Sequence, residues 1–257
     1  MNASAGVPEI EIAGVTKQYG SARPVLEKIN LAVAKGEFVS LIGPSGCGKS
    51  TILKLIAGLA APTSGTIRVD GMTPENARET ISFVFQDATL LPWRTVKQNI
   101  GLGLELEHVA SERREKEIAG LLELVGLNHV AQSYPRELSG GMRMRVSIAR
   151  SLATNPRLML LDEPFAALDE MSRDRLNEEI LRLRAEQDWT AVFVTHSVSE
   201  AVFLSDRIVV LAPNPGRIYA EFPVEFPAAR TAAIRNSPEF DAVVSRVSHM
   251  LRETLRQ

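Results

Sequence analysis

The 257-residue sequence contains a single cysteine, Cys47, and no long apolar run. One cysteine cannot form an internal disulfide, which fits a protein of a reducing compartment. No stretch approaches the roughly 18–20 uncharged apolar residues that a membrane-spanning helix needs, and residues 1–8 lack the apolar core of a signal peptide. We therefore expect a soluble chain that would serve a membrane process only by docking on the membrane segments of other proteins.

A surplus of positive charge is missing as well, because 29 Lys and Arg residues face 31 Asp and Glu residues, giving a net charge of −2. Without a basic field, binding of DNA or RNA is not expected as the main role. The apolar content of 45% and the charged content of 23% are ordinary for a globular protein. A chain of this length can bury a substantial core, as one large domain or as a domain with an inserted subdomain.

A glycine-rich segment stands between an apolar run that ends at Ile42 and a stretch of helical spacing over residues 50–59. It fits the pattern G-x-x-x-x-G-K-S/T in the strand–loop–helix context that this pattern requires. Glycines let backbone amides wrap around phosphate, and the following helix presents its positive end to the anion. Lys49 is expected to reach the terminal phosphates and Ser50 to ligate Mg²⁺. The candidate nucleotide-binding residues are Gly43, Pro44, Ser45, Gly46, Cys47, Gly48, Lys49, Ser50 and Thr51, and a glycine-rich turn without a ligand is the alternative.

An acidic pair, Asp162 and Glu163, follows the apolar run at residues 158–161. In a parallel sheet this strand end would lie beside the phosphate loop. Asp162 is expected to hold Mg²⁺ directly or through water. Glu163 is the candidate general base that polarises the attacking water. The alternative is a strand-end acidic turn before Pro164.

Two further polar residues also stand at predicted strand ends. His196 follows the apolar run at residues 191–195, where a neutral imidazole can donate to the γ-phosphate and orient the water. Gln86 follows residues 81–85, where its amide could bind Mg²⁺ or the water. Each could equally be a structural side chain if it stood alone.

The order of the elements predicts an α/β protein with an interruption. Strand-like alternation marks residues 10–33, helical patterns dominate residues 88–155, and the βα rhythm returns after Pro156. We predict a P-loop NTPase core with a mainly parallel sheet, an N-terminal antiparallel β layer and an inserted α-helical subdomain. The predicted bounds are 8–225 for the domain, 88–155 for the insertion and 226–257 for a helical tail. Within the insertion, helices are predicted at residues 96–106, 111–125 and 142–153.

A second glycine turn, Ser139-Gly140-Gly141, precedes the helix predicted from Met142. A serine and two glycines at a helix start make another anion-binding end, by the same dipole and free-amide argument. The alternative is a serine cap with permissive glycines. A chain with one complete phosphate loop has no obvious need of another, so the economical explanation is that this turn closes over the nucleotide of a partner subunit.

Taken together, these residues resemble the ATP-binding cassette ATPases, the motor subunits of ABC transporters, over about residues 8–220. The motifs stand in the family's order: residues 43–51 are similar to the Walker A loop, Gln86 to the Q-loop glutamine, residues 138–142 to the signature motif, residues 158–163 to Walker B with its catalytic glutamate, residues 167–169 to the D-loop and His196 to the switch histidine. The resemblance adds Asp169 of the D-loop to the nucleotide site. It also adds Tyr19, which stands where the family has an aromatic ring that stacks on adenine, although an ordinary strand aromatic is the alternative.

One position departs from the family pattern. The signature usually ends in glutamine, whereas this chain has Met142. Because the parts expected to touch phosphate are Ser139 and the amides of Gly140 and Gly141, activity is expected to survive the change.

The resemblance implies that ATP, with Mg²⁺, closes two copies of the chain head-to-tail as a homodimer. It further implies two integral membrane permease subunits, an indirect link to a periplasmic solute-binding protein, no nucleic acid, and a peripheral location at the cytoplasmic face of the inner membrane. Residues 90–94, Leu-Leu-Pro-Trp-Arg, and residues 212–218 look like the nitrate/sulfonate/taurine importer group. Trp93 there is a candidate docking anchor. The alternatives are an ABC ATPase acting on DNA or ribosomes, and a regulatory module without turnover, against which Glu163 and His196 argue.

Overall fold

The computed structural model describes residues 7–187, 189–227 and 230–255. Residues 1–6 of the N-terminal segment, and residues 228–229 and 256–257 of the predicted tail, lie outside the described residues. The strands are β1 (Ile10–Lys17), β2 (Leu26–Val33), β3 (Phe38–Ile42), β4 (Ser64–Val69), β5 (Ile81–Val84), β6 (Leu158–Asp162), β7 (Thr190–Val194), β8 (Arg207–Ala212) and β9 (Arg217–Pro223). The helices are α1 (Lys49–Ile56), α2 (Val96–Ile100), α3 (Leu102–Leu106), α4 (Ser111–Leu124), α5 (Gly140–Leu152), α6 (Glu170–Gln187), α7 (Val198–Leu204) and α8 (Pro238–Glu253).

A six-stranded sheet in the order β5-β6-β7-β3-β8-β9 forms the centre of the molecule. Its first five strands are parallel, and β9 closes the edge antiparallel to β8. Strands β3, β6 and β7 are buried at every position, because helices or the second sheet cover both faces. Such strands are continuous apolar runs in sequence, and the predicted parallel core is confirmed.

A smaller antiparallel sheet, in the order β2-β1-β4, packs on one face of the parallel sheet. Strand β1 alternates between buried and exposed side chains at its start, as Ile10 and Ile12 show against the exposed Glu11. The predicted antiparallel layer is therefore present. Its inward side chains share one apolar core with α1 and one face of the parallel strands.

Helices α2 to α5 lie between β5 and β6 in the chain, so the inserted block is helical as the pattern predicted. The single helix predicted over residues 96–106 is wrong, because Gly101 divides it into α2 and α3. A side chain at Gly101 would meet Ile118 of α4, its Cβ lying 2.6 Å from Ile118 Cδ1. The close approach of α4 explains the glycine, and the glycine ends α2.

The last part of the chain folds back onto the domain. Helix α8 buries Phe240 and Val247 against the larger apolar core. Arg230 is also buried, and its Nη1 lies 2.8–3.0 Å from the carbonyl oxygens of Val202, Phe203 and Ser205 at the end of α7. Burial lowers the pKa of this guanidinium to about 10. The tail thus supplies partners for helix-end carbonyls that α7 cannot satisfy itself.

Among the described residues, no helix combines the length and apolarity that crossing a membrane would need.

Candidate nucleotide-binding site

The phosphate loop connects β3 to α1, as its sequence pattern requires. Gly48 has φ 96°, a left-handed conformation that side chains disfavour. A Cβ at Gly48 would also lie 2.3 Å from Leu26 Cδ2. Cys47 is fully buried in the loop, and burial raises the pKa of its thiol. The loop is therefore held in shape by backbone conformation and close packing.

Lys49 begins α1 and turns its amine back over the loop. Its Nζ donates to Gly43 O at 2.8 Å and to Pro44 O at 3.0 Å, and only 5% of the residue is exposed. These two carbonyl partners keep the ammonium group of Lys49 beside the loop, where its positive charge could meet phosphate oxygens.

The next residue, Ser50, reaches across to the acidic strand end. Its Oγ donates to Asp162 Oδ1 at 2.9 Å, although β7 separates β6 from β3 in the sheet. Burial raises the pKa of Asp162, and the hydrogen bond from Ser50 partly opposes that shift. A hydroxyl oxygen beside a carboxylate suits Mg²⁺, which prefers hard oxygen ligands.

Across the described ranges, no group of three or more His, Cys, Asp or Glu side chains is placed to hold a metal ion. Ser50, Asp162 and Gln86 together offer one carboxylate. Such a set fits Mg²⁺ that arrives with nucleotide phosphates, because Mg²⁺ is commonly held by one or two carboxylates and substrate phosphates.

Glu163 and His196 meet over the same cleft. His196 Nε2 lies 2.7 Å from Glu163 Oε1, and the imidazole is about half exposed. Glu163 has φ 49°, which is unusual for a residue with a side chain, while its backbone N–H is held by Val194 O at 2.9 Å. Strain of this kind concentrates where a side chain must be aimed at a ligand.

The cleft in front of these groups has a volume of about 420 Å³. It brings together six of the predicted phosphate-loop residues with Gln86, Glu163 and His196. The full lining consists of Val25, Ser45, Gly46, Gly48, Lys49, Ser50, Thr51, Gln86, Glu163 and His196. Val25, in the bend just before β2, was not anticipated as a site residue from the sequence, because nothing in its local pattern marks it as one.

The second glycine segment is the start of a helix. The helix predicted from Met142 begins two residues earlier, at Gly140, and Ser139 is its N-cap, accepting from Met142 N at 3.2 Å. Gly140 and Gly141 therefore contribute first-turn amides, which lack partners within the helix. Ser139 and Gly140 are exposed.

Several predicted site residues stand apart from the cleft. Of the residues that the structure describes, Gly43, Pro44, Cys47 and Asp162 do not line it, although each adjoins a lining residue or lies in the same loop. Ser139, Gly140, Gly141, Asp169 and Tyr19 do not line it either. Asp169 accepts from Ser172 N at 2.9 Å to cap α6, and this backbone hydrogen bond lowers the pKa of its carboxyl group. Tyr19 is half exposed, with Lys17 Nζ 4.6 Å from its ring centre.

Two close contacts near the site were missed by sequence reasoning. Gly216, in the turn after β8, packs on the phosphate loop, where a Cβ would lie 2.1 Å from Cys47 O. Glu200 lies buried four residues after His196. The spacing Ser197-x-x-Glu200, typical of a helix start, could have predicted α7.

The chain is similar in sequence and structure to known proteins. A family model described as ABC transporter matches residues 26–166. The chain is 43% identical to the nitrate import ATP-binding protein NrtD of Synechocystis sp. over 233 residues, covering 88% of each protein. It is also 43% identical to the bicarbonate transport ATP-binding protein CmpC of Synechococcus elongatus over 241 residues, which cover 92% of this chain and 36% of that protein.

A solved structure is similar as well: the dimeric post-hydrolysis state of the ATP-binding cassette MJ0796 bound to ADP and Pi. It has a TM-score of 0.78 and 34% identity, over 85% of this chain and all of that one. The chain therefore belongs to the ABC transporter family, and it is a P-loop ATPase whose hydrolysis of ATP is coupled to transport.

Proposed function

We propose that the chain is the ATP-hydrolysing subunit of a bacterial ABC importer and that two copies hold ATP between them, head-to-tail. One observation carries this proposal. The anion-binding groups are divided between a cleft with Lys49 and an exposed helix start at Ser139 that does not line it. Two-fold pairing of copies would bring each cleft against the other copy's helix start.

Within the cleft, the chain's residues have separate roles. Lys49 and the loop amides neutralise the β- and γ-phosphates. Mg²⁺, when bound with ATP through Ser50, Asp162 and Gln86, supplies further neutralisation of phosphate charge. Glu163 accepts a proton from the attacking water. His196, whose Nε2 lies 2.7 Å from Glu163 before ATP binds, would give its single N–H to the γ-phosphate when ATP is bound and so help to orient the water.

The other copy completes the site from the opposite side. Ser139 and the first-turn amides of Gly140 and Gly141 present donors and a helix dipole to the phosphates. Asp169, at the exposed start of α6, is proposed to belong to the same half of the site. Tyr19 is proposed to stack on adenine, on the resemblance of its position to the family's aromatic ring.

Mixing two variants tests the shared site. Ser139→Arg is expected to bind ATP normally and to lose hydrolysis by about 10²-fold, because the added guanidinium fills the place of the phosphate. Lys49→Ala is expected to lose hydrolysis in its own cleft. A mixed dimer has one site with both halves intact, so the mixture should hydrolyse ATP faster than the sum of the separate variants. Hydrolysis that never exceeds that sum would contradict the head-to-tail arrangement.

The surface around Trp93 is proposed as the docking site for a permease subunit. Trp93 is 70% exposed beside a groove of about 540 Å³ formed with α2 and α4. The loop that carries it is fixed from below by buried Asn99, whose side chain bonds to Leu91 and to the carbonyls of Arg94 and Thr95. A rigid loop that exposes a tryptophan is typical of an interface anchor.

Replacing Trp93 with Ala is expected to weaken co-purification with a co-expressed permease by at least about tenfold, in line with the cost of losing an interface anchor. ATP affinity should stay unchanged, because the residue does not line the cleft. The exposed Leu255 provides a matched control, since Leu255→Ala removes an exposed apolar side chain elsewhere. Equal permease recovery with wild type and Trp93→Ala would contradict the assignment.

For the transported solute we propose nitrate, a sulfonate, taurine or a related small solute. The support is the similarity to subunits named for nitrate and bicarbonate import. The solute meets a periplasmic binding protein and the permease rather than this subunit, which would lie peripherally at the cytoplasmic face of the inner membrane. Residues 8–225, with the insertion 88–155, form the proposed ATPase domain, and residues 226–257 the tail. Stimulation of ATPase activity in the reconstituted transporter by each loaded binding protein would identify the solute.

A further inference from the structure

Thr195, Glu200 and Arg173 form a buried polar bridge behind the Glu163–His196 pair, on the side away from the nucleotide cleft. A second cavity, of about 200 Å³, is lined both by these bridge residues and by Glu163 and His196, which also line the nucleotide cleft. Its other lining residues are Phe165, Ala166 and Ser197. The reactive pair is therefore approached from two sides, by the nucleotide and by this bridge.

Thr195 fixes the backbone on both sides of His196. Its Oγ1 accepts from Ser197 N at 3.0 Å and donates its one hydrogen to Glu200 Oε2 at 2.5 Å. Ser197 in turn caps α7 by accepting from Glu200 N. The residues before and after His196 are thus tied to one another and to the first turn of α7.

Glu200 carries the connection to a different element. Its Oε1 lies 3.3 Å from Arg173 Nε of α6, and Arg173 Nη2 donates to Leu168 O at 3.0 Å. Leu168 packs against the start of α5, where a Cβ on Gly141 would lie 3.1 Å from Leu168 Cδ2. Contacts therefore run without a break from His196 to the helix that begins at Gly140.

Burying the carboxyl group of Glu200 in this bridge costs desolvation free energy that an apolar contact would not. Glu200 is 5% exposed and Thr195 4% exposed, so a carboxyl group is kept away from water, and this burial raises its pKa. The hydrogen bond from Thr195 and the charges of Arg173 and Arg235 only partly oppose that shift. Buried charges usually cost more than well-packed apolar residues would, and where they persist they often fix one conformation. Neither side chain lines the nucleotide cleft, so neither acts on the phosphates directly.

We propose that Thr195 and Glu200 are positioning residues that hold His196 against Glu163 and, through Arg173, link that pair to the segment Leu168–Asp169 and the start of α5. The proposal rests on the proposed function, because it takes His196 to act on ATP and the start of α5 to serve the partner's ATP. The position of His196 in one site would then be coupled to the presentation of Ser139 to the other.

The first test removes one hydroxyl. Thr195→Val keeps the shape of the side chain, and it is expected to lower kcat about tenfold with KM for ATP within twofold, since misaligned groups slow the chemical step more than binding. Thr195→Ser restores the hydroxyl and should recover most of that loss. Arg207→Met is the matched control: it breaks a half-buried ion pair with Glu37 and Glu221 outside the site and should leave kcat unchanged.

The second test reads His196 directly. The chain has four histidines, so the imidazole resonances of labelled protein are few, and His196→Ala assigns one of them. Thr195→Val and Glu200→Gln should both shift or broaden that resonance, whereas Arg207→Met should not. Glu200→Gln also serves if Thr195→Val fails to fold, because it keeps an acceptor for Thr195 while it removes the charge facing Arg173.

An unshifted His196 resonance with normal kcat in these variants, alongside a His196→Ala variant that has lost turnover, would overturn this inference alone. Normal turnover by His196→Ala would instead overturn the role of His196 in the proposed function. A fall in kcat for Thr195→Ser as large as for Thr195→Val would also count against the hydroxyl's role.

Discussion

The two regions proposed to bind phosphate differ in how their polar groups are satisfied. In the cleft, Lys49 bonds to loop carbonyls, Ser50 to Asp162, and His196 to Glu163. At the start of α5, the Ser139 hydroxyl makes a local cap and the neighbouring glycines are open to solvent or lightly covered. The cleft combines contacts within the loop with long-range contacts between elements, whereas the start of α5 is a helix start whose serine and first glycine are exposed.

This difference separates two requirements of the proposed reaction. Groups that change partners during catalysis need neighbours that hold them ready, and these come from β3, β6 and β7 of one sheet. Groups that only stabilise charge need fixed amides and a helix dipole, which a capped helix supplies alone. Substitutions in the cleft should therefore strongly change the rate of hydrolysis or the affinity for ATP. Substitutions at the start of α5 should act through side-chain packing and through the space left for the phosphates.

The largest effect is expected for Glu163→Gln. Loss of the general base should lower hydrolysis by about 10²–10⁴-fold, because the amide cannot take the proton of water. ATP affinity should be retained and an ATP-bound dimer should accumulate, as seen by size-exclusion chromatography. Glu11→Gln, which changes an exposed carboxylate on β1, is the control. Hydrolysis at the wild-type rate by Glu163→Gln would contradict the view that the cleft supplies the reacting groups while the start of α5 only stabilises charge.

A smaller effect, on binding, is expected for Gly48→Ala. The backbone there has φ 96°, and the new methyl would lie 2.3 Å from Leu26 Cδ2. Stability should fall by about 1–3 kcal/mol, and ATP affinity should fall at least about tenfold as the loop shifts. Gly46→Ala separates the causes, since Gly46 has φ 78° with no atom near its Cβ and so carries conformational strain without a clash. Equal melting temperatures for the two variants would show that packing on Leu26 is unimportant.

The smallest effect is expected at the start of α5, where two adjacent glycines make a matched pair. A methyl on Gly141 would lie 3.2 Å from Ala167 O and 3.1 Å from Leu168 Cδ2, so Gly141→Ala should cost about 1 kcal/mol. That loss corresponds to a melting temperature about 2–4 °C lower. At Gly140 the nearest atoms are 3.9 Å and 4.0 Å away, so Gly140→Ala should leave the stability of the ligand-free protein unchanged or slightly higher. Equal losses for the two variants would contradict the packing described for Leu168.

Much of the core was predictable because its signals are local. Buried parallel strands are short apolar runs, and the phosphate loop has glycines at fixed spacing, so β3, α1 and β6 follow from neighbouring residues alone. Strand β9 and helix α7 were missed. Strand β9 is half exposed at the sheet edge and lacks a clear alternation, and α7 is only seven residues long.

The features that the sequence did not predict depend on contacts between residues far apart in the chain. The division of residues 96–106 at Gly101 depends on Ile118, and the place of β7 between β6 and β3 is a property of the whole sheet. The sequence motifs selected Asp162, Glu163 and His196 as site residues. They gave no indication of the left-handed backbone at Glu163 or of the bridge through Thr195 and Glu200, because both depend on how separate elements pack.

The buried Arg230 has a consequence for where the domain ends as a folding unit. A chain shortened after residue 225 would keep every motif of the cleft, yet it would leave the carbonyl groups of Val202, Phe203 and Ser205 without their donor in an apolar setting. Each such orphaned carbonyl costs about 1–3 kcal/mol. The boundary that sequence motifs suggest and the boundary of cooperative unfolding thus differ, and recombinant truncations or fusions would need to retain the tail.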